Sequence, residues 1–323
     1  MISVVVPIYN CEKAIDRCME SLQKQIFSDF EVIMINDGSS DNSESVALNW
    51  TKKDKRFRLY SQKNAGVSAA RNAGIVFSNG DHICFIDVDD YVENNYLYEM
   101  FSHYQKGRLT ICNIVHNDSK SKLFRCDWKK KNISFSRKLI QDYLVYSLGK
   151  QIAFSACNKL FDNTLIKNNH IRFPNNIKVG EDMIFVLLYL SKCNELYFID
   201  KGLYHYCISN TSAMNSKKDY LPLYELTLQE LKKIRCNNCK IDKKTLSLWS
   251  RECMTLILTN PAITCMNYGE FKKYFKLLKN SELYKRTRKA DFTCNIKRVL
   301  LTLVMKTNSN LMLFLLIKYN KKC

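Results

Sequence analysis

The chain has 323 residues and a formal net charge of +19, from 50 basic and 31 acidic residues. A hydrophobic content of 46% with 12% aromatic residues excludes an intrinsically disordered class, and the length allows a large buried core. Basic residues are frequent in residues 120–138 and after Lys217. This charge favours anionic partners such as phosphorylated ligands, anionic lipid or nucleic acid, but a solvated basic surface without a partner is also common.

The 14 cysteines show no paired metal-binding spacing, and many free thiols suggest a reducing compartment. No basic leader precedes the apolar run that begins at Ile2, so no signal peptide is expected. No apolar stretch reaches the roughly 18 residues that a membrane-spanning helix needs. These features predict a cytoplasmic protein.

Strand and helix patterns alternate through the first ninety residues. Short apolar runs that predict strands occur at residues 2–6, 30–35, 57–60 and 83–86. The segments between them carry helical stripes, the first with Asn10 as its expected N-cap, and the third with small residues that predict close packing. This alternation predicts an α/β fold with a Rossmann-like, mostly parallel sheet flanked by helices.

Beyond Asp90 the pattern predicts a helix to about Tyr104, a strand at 109–115, a basic loop or hairpin at 119–131 and a helix at 139–148. After residue 215 it becomes helical, with amphipathic segments near 221–234, 246–258 and 299–317. The sequence therefore predicts a ligand-binding α/β domain over residues 1–214 and a helical, basic C-terminal region over residues 215–323.

Polar clusters follow each of the four predicted strands, at Tyr9-Asn10, Asp37-Gly38-Ser39, Asn64-Ala65-Gly66 and Asp87-Val88-Asp89. In open α/β sheets, ligands bind beyond the carboxyl ends of the strands. If these four turns were only solvent-exposed connections, there would be no reason for polar clusters to gather at the same edge of the sheet. The pattern predicts a binding site there.

Three acids, Asp87, Asp89 and Asp90, follow the apolar run Ile83–Ile86 directly. Carboxylates crowded in a poorly hydrated cleft repel one another, and a hard cation such as Mg²⁺ or Mn²⁺ relieves that repulsion. A solvated acidic turn after a strand explains the same residues. The acids alone leave the two interpretations open.

A second acidic pair, Glu181 and Asp182, begins an apolar helix over residues 183–190. The positive end of the helix dipole favours acids there, so an ordinary acidic helix start is one interpretation. The other is a general base, which must be ionised at neutral pH to accept a proton. Spacing alone does not choose between them.

Taken together, these motifs resemble glycosyltransferase family 2, with the GT-A fold, as found in bacterial surface-polysaccharide glycosyltransferases. The resemblance covers about residues 2–214 and is specific because the motifs occur in order. The matching segments are Val6–Asn10, Ile35–Asp41, Asn64–Gly74, Phe85–Asp90, Asn158–Phe161, Phe173-Pro174 and Gly180–Asp182.

The resemblance implies a set of nucleotide-binding residues. Tyr9 would lie against the nucleobase, Asp37 would accept a hydrogen bond from it, and Gly66 would allow close backbone approach. Arg71 would lie near the diphosphate, and Asp87 near the ribose or a metal-bound water. The full set is Pro7, Tyr9, Asn10, Asp37, Asn64, Gly66, Arg71 and Asp87.

The resemblance also implies the catalytic and metal-binding residues. Asp89, with Asp87, would hold Mg²⁺ or Mn²⁺ at the diphosphate, and Asp90 would be a helix cap that supports them. Asp182 would be the base, with Glu181 orienting the acceptor. The implied reaction is an inverting transfer of a hexosyl or N-acetylhexosaminyl group from a nucleoside diphosphate sugar, with UDP expected, to a hydroxyl of a glycan or lipid-linked saccharide.

The chain departs from the family pattern in the stretch Leu203–Cys207. Members often carry Arg after the final tyrosine, and this chain has Cys207 there, so a diphosphate contact is in question. Cys157 stands where tryptophan is frequent. His205 is either a metal or phosphate contact or a hydrogen-bonded structural histidine. The acceptor region is therefore expected to be unusual.

Two other function classes compete with the transferase. A sugar nucleotidyltransferase on a similar sheet predicts an N-terminal glycine-rich loop, and residues 4–10 contain no glycine. A non-catalytic basic binding module rests on charge alone, and no nucleic-acid-binding motif supports it. The apolar face of residues 299–317, with its lysines, fits either peripheral contact with the anionic inner face of the cell membrane or core packing.

Overall fold

A computed structural model describes residues 1–117, 122–124, 132–134, 155–193, 195–207, 219–236, 239–290 and 296–321. The chain divides into two compact units. The first holds the described residues of Met1–Ser136, Ile152–Asn176 and Glu181–Asn210, and the second holds those of Ile177–Gly180 and Thr211–Cys323. The domain boundary after residue 214 stays a prediction.

The first unit contains one large sheet and the helices around it. Its strands are β1 (Ile2–Ile8), β2 (Phe30–Asn36), β3 (Phe57–Ser61), β4 (His82–Phe85), β5 (Tyr91–Val92), β6 (Arg108–Asn117), β7 (Lys122–Phe124), β8 (Asn132–Ser134), β9 (Lys159–Asp162) and β10 (Glu195–Cys207). Its helices are α1 (Glu12–Gln23), α2 (Ser43–Lys53), α3 (Val67–Phe77), α4 (Tyr96–Ser102), α5 (Asn163–Asn168) and α6 (Glu181–Leu190).

The sheet has the order β3-β2-β1-β4-β9-β6-β10-β5, with β7 beside β6 and β8 beside β10. The strands from β3 to β4 are parallel, as is the β6–β10 pair, whereas β9 is antiparallel to both β4 and β6. The α/β class is therefore confirmed, but the sheet is mixed rather than mostly parallel. The four-residue β9 was not predicted because it is too short to show a period.

Strands β1, β2 and β4 are buried along almost their whole length, as expected for parallel strands covered by helices on both faces, whereas β3 is partly exposed. All seven residues of β2 are buried, and β1 pairs with it from Ile2 opposite Phe30 to Ile8 opposite Asn36. The predicted close packing of α3 is also seen. A Cβ atom on Gly74 would come within 2.2 Å of the Val5 side chain, so only glycine allows this approach.

Two predicted helix starts are wrong. Cys11, not Asn10, is the N-cap residue of α1, and Asn10 has a left-handed backbone with φ of 48°. The helix predicted from Asp90 begins only at Tyr96, because Tyr91 and Val92 form β5 against β10. Asp90 is therefore not a helix cap. The predicted apolar stripe of α1 is buried, at Ile15, Cys18, Met19 and Leu22.

The described residues of the second unit are mainly helical and include one two-stranded ribbon, β11 (Arg235–Cys236) with β12 (Cys239–Lys240). Its described helices are α7 (Leu221–Lys233), α8 (Lys243–Thr259), α9 (Pro261–Thr264), α10 (Tyr268–Asn280), α11 (Glu282–Thr287), α12 (Ile296–Thr307) and α13 (Asn310–Lys321).

The first two predicted C-terminal segments are confirmed as α7 and α8. The third, 299–317, is two helices, because the chain turns at Asn308 with φ of 58°. Apart from residues 122–124, the loop predicted at 119–131 lies outside the described residues, as does the helix at 139–148. Among the described helices, none is both long enough and apolar enough to span a membrane.

Candidate active site

The carboxyl ends of β1, β2, β3 and β4 meet at one edge of the sheet, as the sequence predicted. Backbone hydrogen bonds extend the pairing past the strands. The Asp37 N–H donates to the Ile8 carbonyl at 2.8 Å, and the Ile86 N–H donates to the Val5 carbonyl at 3.0 Å. The polar clusters that follow the strands therefore begin side by side.

Three loops at this edge, residues 9–12, 37–43 and 62–66, are joined by hydrogen bonds and are called here the edge loops. The Asn10 side-chain oxygen accepts from the Ser40 N–H at 2.8 Å, and the Asn10 N–H donates to the Ser39 hydroxyl at 3.1 Å. The Cys11 N–H donates to the Ser43 hydroxyl at 2.8 Å. Asn10 thus fixes one loop against the next.

Asp37 organises the third edge loop. Its buried carboxylate accepts from the Gln62 side chain at 2.7 Å and from the N–H groups of Ala65 and Gly66 at 2.9 and 2.8 Å. Gly66 follows with φ of 90° and ψ of 164°, a region open almost only to glycine. A nucleobase contact of Asp37 stays a prediction, since the bonds present hold the loop.

The remaining residues predicted around the nucleotide lie on the same edge. Tyr9 is 52% exposed, so its ring is available to a ligand. Pro7 is half-buried at the end of β1, and Asn64 is exposed beside Gly38. A Cβ atom on Gly38 would come within 2.8 Å of the Asn64 backbone nitrogen. The structure brings these residues together, and their nucleotide contacts stay predictions.

Arg71, Asp87, Glu181 and Asp182 form a second group, called here the carboxylate cluster. The Arg71 guanidinium donates through Nη1 to Asp182 Oδ1 at 2.6 Å and through Nη2 to Asp87 Oδ1 at 2.8 Å. Glu181 Oε1 is 3.6 Å from Nη1. One arginine therefore joins the acids after β4 to the acids that begin α6.

Burial and charge set the ionisation of this cluster. Burial alone lowers the pKa of Arg71, but the Asp182 and Asp87 carboxylates raise it well above its ordinary value. Burial raises the pKa of Glu181 to about 7, helped by the neighbouring Asp182 charge. Burial also raises the pKa of Asp182, and the Arg71 charge opposes this rise. Arg71 therefore favours the ionised form of Asp182.

Neighbouring backbone and side chains fix the cluster in place. The Ala156 N–H donates to Asp182 Oδ2 at 3.1 Å, and the Arg71 guanidinium carbon lies 5.3 Å from the centre of the Phe173 ring. Asn72 holds Phe173 by two backbone hydrogen bonds, as donor to its carbonyl at 2.8 Å and as acceptor from its N–H at 2.9 Å. The Phe173-Pro174 motif therefore supports Arg71.

Asp90 supports β10 rather than a helix. Its buried carboxylate accepts from the Tyr204 hydroxyl at 2.6 Å and from the Cys207 N–H at 2.8 Å. Burial raises the pKa of Asp90 to about 8, and the Asp87 charge adds to the rise. The Tyr204 hydroxyl also accepts from the Asp87 N–H at 3.3 Å. Tyr204 was missed as a site residue because its role depends on contacts with distant acids.

Asp87 and Asp89 are the predicted ligands of a divalent cation, and their metal binding stays a prediction. Burial raises the pKa of Asp89 and the Asp87 charge adds to it, which indicates carboxylates in need of a counter-charge. No group of three or more His, Cys, Asp or Glu side chains within the described residues is arranged to hold a metal by itself. Mg²⁺ typically binds one or two carboxylates and completes its shell with substrate phosphates and water, so this pair fits such an ion.

The residues that depart from the family pattern have local partners. His205 Nε2 lies 2.7 Å from Glu93 Oε1, and its ring stacks on Tyr91 with ring centres 4.3 Å apart. This favours the structural interpretation of His205. Cys207 is partly exposed at the end of β10, and Cys157 is buried, with a thiol pKa raised by burial.

Comparison with known proteins gives the same family. The family model described as glycosyl transferase family 2 matches residues 3–163. An uncharacterized glycosyltransferase of Haemophilus influenzae is 34% identical over 191 residues, which are 58% of this chain and 70% of the relative. Uncharacterized glycosyltransferase EpsJ of Bacillus subtilis is 29% identical over 208 residues, or 64% of this chain and 60% of EpsJ.

A longer relative and a solved structure extend the comparison. Minor teichoic acid biosynthesis protein GgaB of B. subtilis is 31% identical over 221 residues, covering 67% of this chain and only 24% of GgaB. The crystal structure of S. aureus TarS 1–349 in complex with UDP-GlcNAc has a TM-score of 0.73 at 18% identity, covering 99% of this chain and 91% of that one. At that identity the likeness shows the shared fold.

The family match, the H. influenzae relative and the fold agree with the motifs found at the sheet edge. The chain therefore belongs to glycosyltransferase family 2, with the GT-A fold.

Proposed function

We propose that this protein moves a sugar from a nucleoside diphosphate sugar, with UDP as the nucleotide, to an acceptor hydroxyl, with inversion at the anomeric carbon. The observation that carries the proposal is Arg71, which joins Asp87 and Asp182 through ion pairs of 2.8 and 2.6 Å. Arg71 thereby holds Asp87, which would face the donor, close to Asp182, which would face the acceptor.

The edge loops would bind the nucleoside. Tyr9 offers an exposed aromatic ring against which a base can stack. Gly66 leaves open space for a ligand, because a Cβ atom added there would meet no other atom within 4 Å. The UDP-GlcNAc complex of TarS supports UDP as the nucleotide. The transferred group would be a hexosyl or an N-acetylhexosaminyl sugar.

Asp89, with Asp87, would hold Mg²⁺ or Mn²⁺. Such an ion, when bound, supplies positive charge that stabilises a leaving diphosphate. Asp87 has one carboxylate oxygen on Arg71, which leaves its second oxygen for this purpose. Arg71 also fixes the orientation of that carboxylate.

Asp182 would act as the general base. It takes the proton of the acceptor hydroxyl, the acceptor oxygen forms a bond to the anomeric carbon, and the bond to the diphosphate oxygen breaks with its electron pair. Arg71 favours the ionised form of Asp182, while burial raises the pKa of Asp182 and so its basicity. Glu181 would orient the acceptor beside it. A single displacement of this kind inverts the anomeric centre.

Release of nucleoside diphosphate tests the proposal. The purified protein, Mn²⁺ and a panel of nucleotide sugars with glycan acceptors should give turnover with a UDP-sugar. Asp182→Asn should lower kcat by about 10² to 10⁴, the usual contribution of a general base. Asp89→Ala should also abolish most turnover.

Asp29→Asn is the matched control, because Asp29 is 64% exposed and pairs only with the chain's amino group among the described residues. Full turnover in Asp182→Asn and Asp89→Ala would contradict the assigned roles. Release of pyrophosphate from a nucleoside triphosphate and a sugar phosphate would instead favour a nucleotidyltransferase. NMR of the product linkage tests inversion, since an α-linked donor should give a β-linked product.

The acceptor would be a glycan or lipid-linked saccharide of a cell-surface polymer, with the helical unit in contact with an anionic membrane. The relationship to GgaB, whose name refers to teichoic acid biosynthesis, supports the polymer class. Residues 211–323 contain 23 Lys and Arg against 8 Asp and Glu, a net charge of +15. On α13 the neighbouring side chains of Leu311, Met312 and Leu315 are about half exposed on one face.

Vesicle co-sedimentation tests this contact. The protein should bind vesicles rich in anionic lipid, and Leu311→Ser with Leu315→Ser should weaken that binding, because each leucine buries apolar area in the interface. Leu256→Ser on α8 is the control, since Leu256 is similarly exposed, at 48%. Equal binding by the α13 variant and the wild type would contradict the proposed surface.

A further inference from the structure

Arg17 and Arg71 lie beside the acids that follow β4, and they differ in whether carboxylates balance their positive charge. Arg71 is buried and faces three carboxylates. Arg17, on the outer side of α1, is exposed, and its Nη2 donates to the backbone carbonyl of Asp89. Within the described residues, Arg17 forms no ion pair with a carboxylate. Arg17 therefore keeps its positive charge available next to Asp89.

Arg17 is held in position by an aromatic ring. Its guanidinium carbon lies 5.8 Å from the centre of the Tyr91 ring, a cation–π distance. The Tyr91 hydroxyl accepts from the Asn117 side chain at 2.8 Å, and the Tyr91 ring stacks on the His205 ring. These contacts position the Tyr91 ring, and the ring in turn orients the Arg17 guanidinium.

Arg17 also lies close to the side chain of Cys207. Burial raises the pKa of the Cys207 thiol, and the charge of Arg17 is the strongest influence that lowers it. A guanidinium that reaches this point from α1 places a positive charge where the residue at 207 supplies none.

We propose that Arg17 binds the diphosphate of the donor. This inference rests on the proposed function and names a further residue of the same site. A guanidinium suits this role because its N–H groups match two phosphate oxygens at once. The Asp89 carbonyl accepts from one of these N–H groups, so the other N–H groups can reach the ligand.

The test measures binding of UDP and of uridine to the full chain by calorimetry with Mg²⁺. Arg17→Ala should weaken UDP binding about tenfold to hundredfold, as expected for loss of a charge-assisted hydrogen bond. It should leave uridine binding unchanged, because uridine has no phosphate. In the Arg17→Ala background, Cys207→Arg should restore most of the lost UDP affinity.

Lys13→Ala is the matched control, because Lys13 is exposed on the same helix and its removal changes the net charge equally. Unchanged UDP affinity in Arg17→Ala, or an equal loss of uridine affinity, would overturn the inference while the proposed function stands. If the wild-type protein binds none of UDP, GDP, ADP and CDP, the proposed function fails and this inference fails with it.

Discussion

The edge loops and the carboxylate cluster lie on the same sheet edge but are stabilised by different interactions. In the edge loops, backbone N–H groups donate to short polar side chains, as in the three bonds to Asp37. In the carboxylate cluster, one buried guanidinium faces the acids Asp87, Glu181 and Asp182. The first depends on hydrogen-bond geometry and the second on charge balance.

This difference has consequences for pH and for substitutions. One positive charge among three carboxylates leaves the cluster short of positive charge when all three are ionised, and Glu181, with a pKa of about 7, is the acid that responds near neutral pH. The edge loops contain no comparable buried excess of charge among the described residues. Substitutions and changes of pH should therefore have larger effects in the cluster than in the edge loops.

The largest effect is expected for Arg71→Met. Removing one partner of a buried ion pair leaves uncompensated carboxylates, which costs about 3 kcal/mol of unfolding free energy. This value is at the low end because Asp87 is one-third exposed. Urea unfolding measures it, and turnover should be lost as well. Lys24→Met, which removes an exposed pair with Glu20, should cost less than about 0.5 kcal/mol.

A similar stability of Arg71→Met and Lys24→Met would show that the cluster does not depend on its central charge. A variant that loses turnover while keeping wild-type stability would instead assign Arg71 to ligand binding alone.

Asp37→Ala should have the next largest effect, because it removes the acceptor for Gln62, Ala65 and Gly66. Hydrogen bonds to charged groups contribute about 1.5–3 kcal/mol each, but water can replace part of them at the exposed residues 65 and 66. We expect a net loss of about 2 kcal/mol by urea unfolding, with weaker nucleotide binding. If Asp37→Ala lost turnover but kept the wild-type unfolding free energy, the structural role of Asp37 would be contradicted.

A smaller effect is expected for Gly66→Ala. The open space around Gly66 rules out a clash, so the cost comes from the backbone, where φ of 90° with ψ of 164° is strained for alanine. This should lower the unfolding free energy by about 1–2 kcal/mol and weaken nucleotide binding. Equal stability of variant and wild type would show that the loop can adopt another conformation at no cost.

Per pH unit, the smallest effect is the pH dependence due to Glu181. Its pKa is about 7 in the folded protein against 4.5 ordinarily, so the folded state holds a proton that the unfolded state has released. The associated stability is present below pH 4.5 and is lost as pH rises to about 7, with a slope of at most about 1.4 kcal/mol per pH unit.

Unfolding of chelator-treated protein between pH 5 and 8 measures this slope, and Glu181→Gln should make it shallower. Glu230→Gln on α7 is the control, because Glu230 forms a surface pair with Lys233. Identical slopes in the wild type and in Glu181→Gln would contradict the pKa argued for Glu181.

Local patterns were enough to predict the parallel half of the sheet. The runs that became β1, β2, β3 and β4 are apolar and bounded by turn residues, and the order of polar clusters after them predicted the site edge. The antiparallel strands β5 and β9 were missed, because two or four residues do not establish a period. Their pairing depends on neighbours distant in sequence.

The site residues likewise divide into those that local patterns predicted and those that depend on contacts between distant parts of the chain. The strand ends predicted that Asp37 and Asp87 would stand at one edge, and the family resemblance implied Asp182 as the base, but neither predicted the partners of these acids. Asn10 was expected to cap α1 and instead bonds to Ser40, because its left-handed backbone directs it across to the next loop. Tyr204 gained its role only when β10 was placed against Asp90.

The sequence by itself determined the strand ends, the acids and the family, because these follow from short runs and fixed spacings. Only the tertiary structure decided which charges meet. Arg71 and Asp182 are separated by 111 residues, and no local pattern links a basic residue on α3 to an acid at the start of α6. The sheet brings the two elements together, and burial of the guanidinium then requires the carboxylates that surround it.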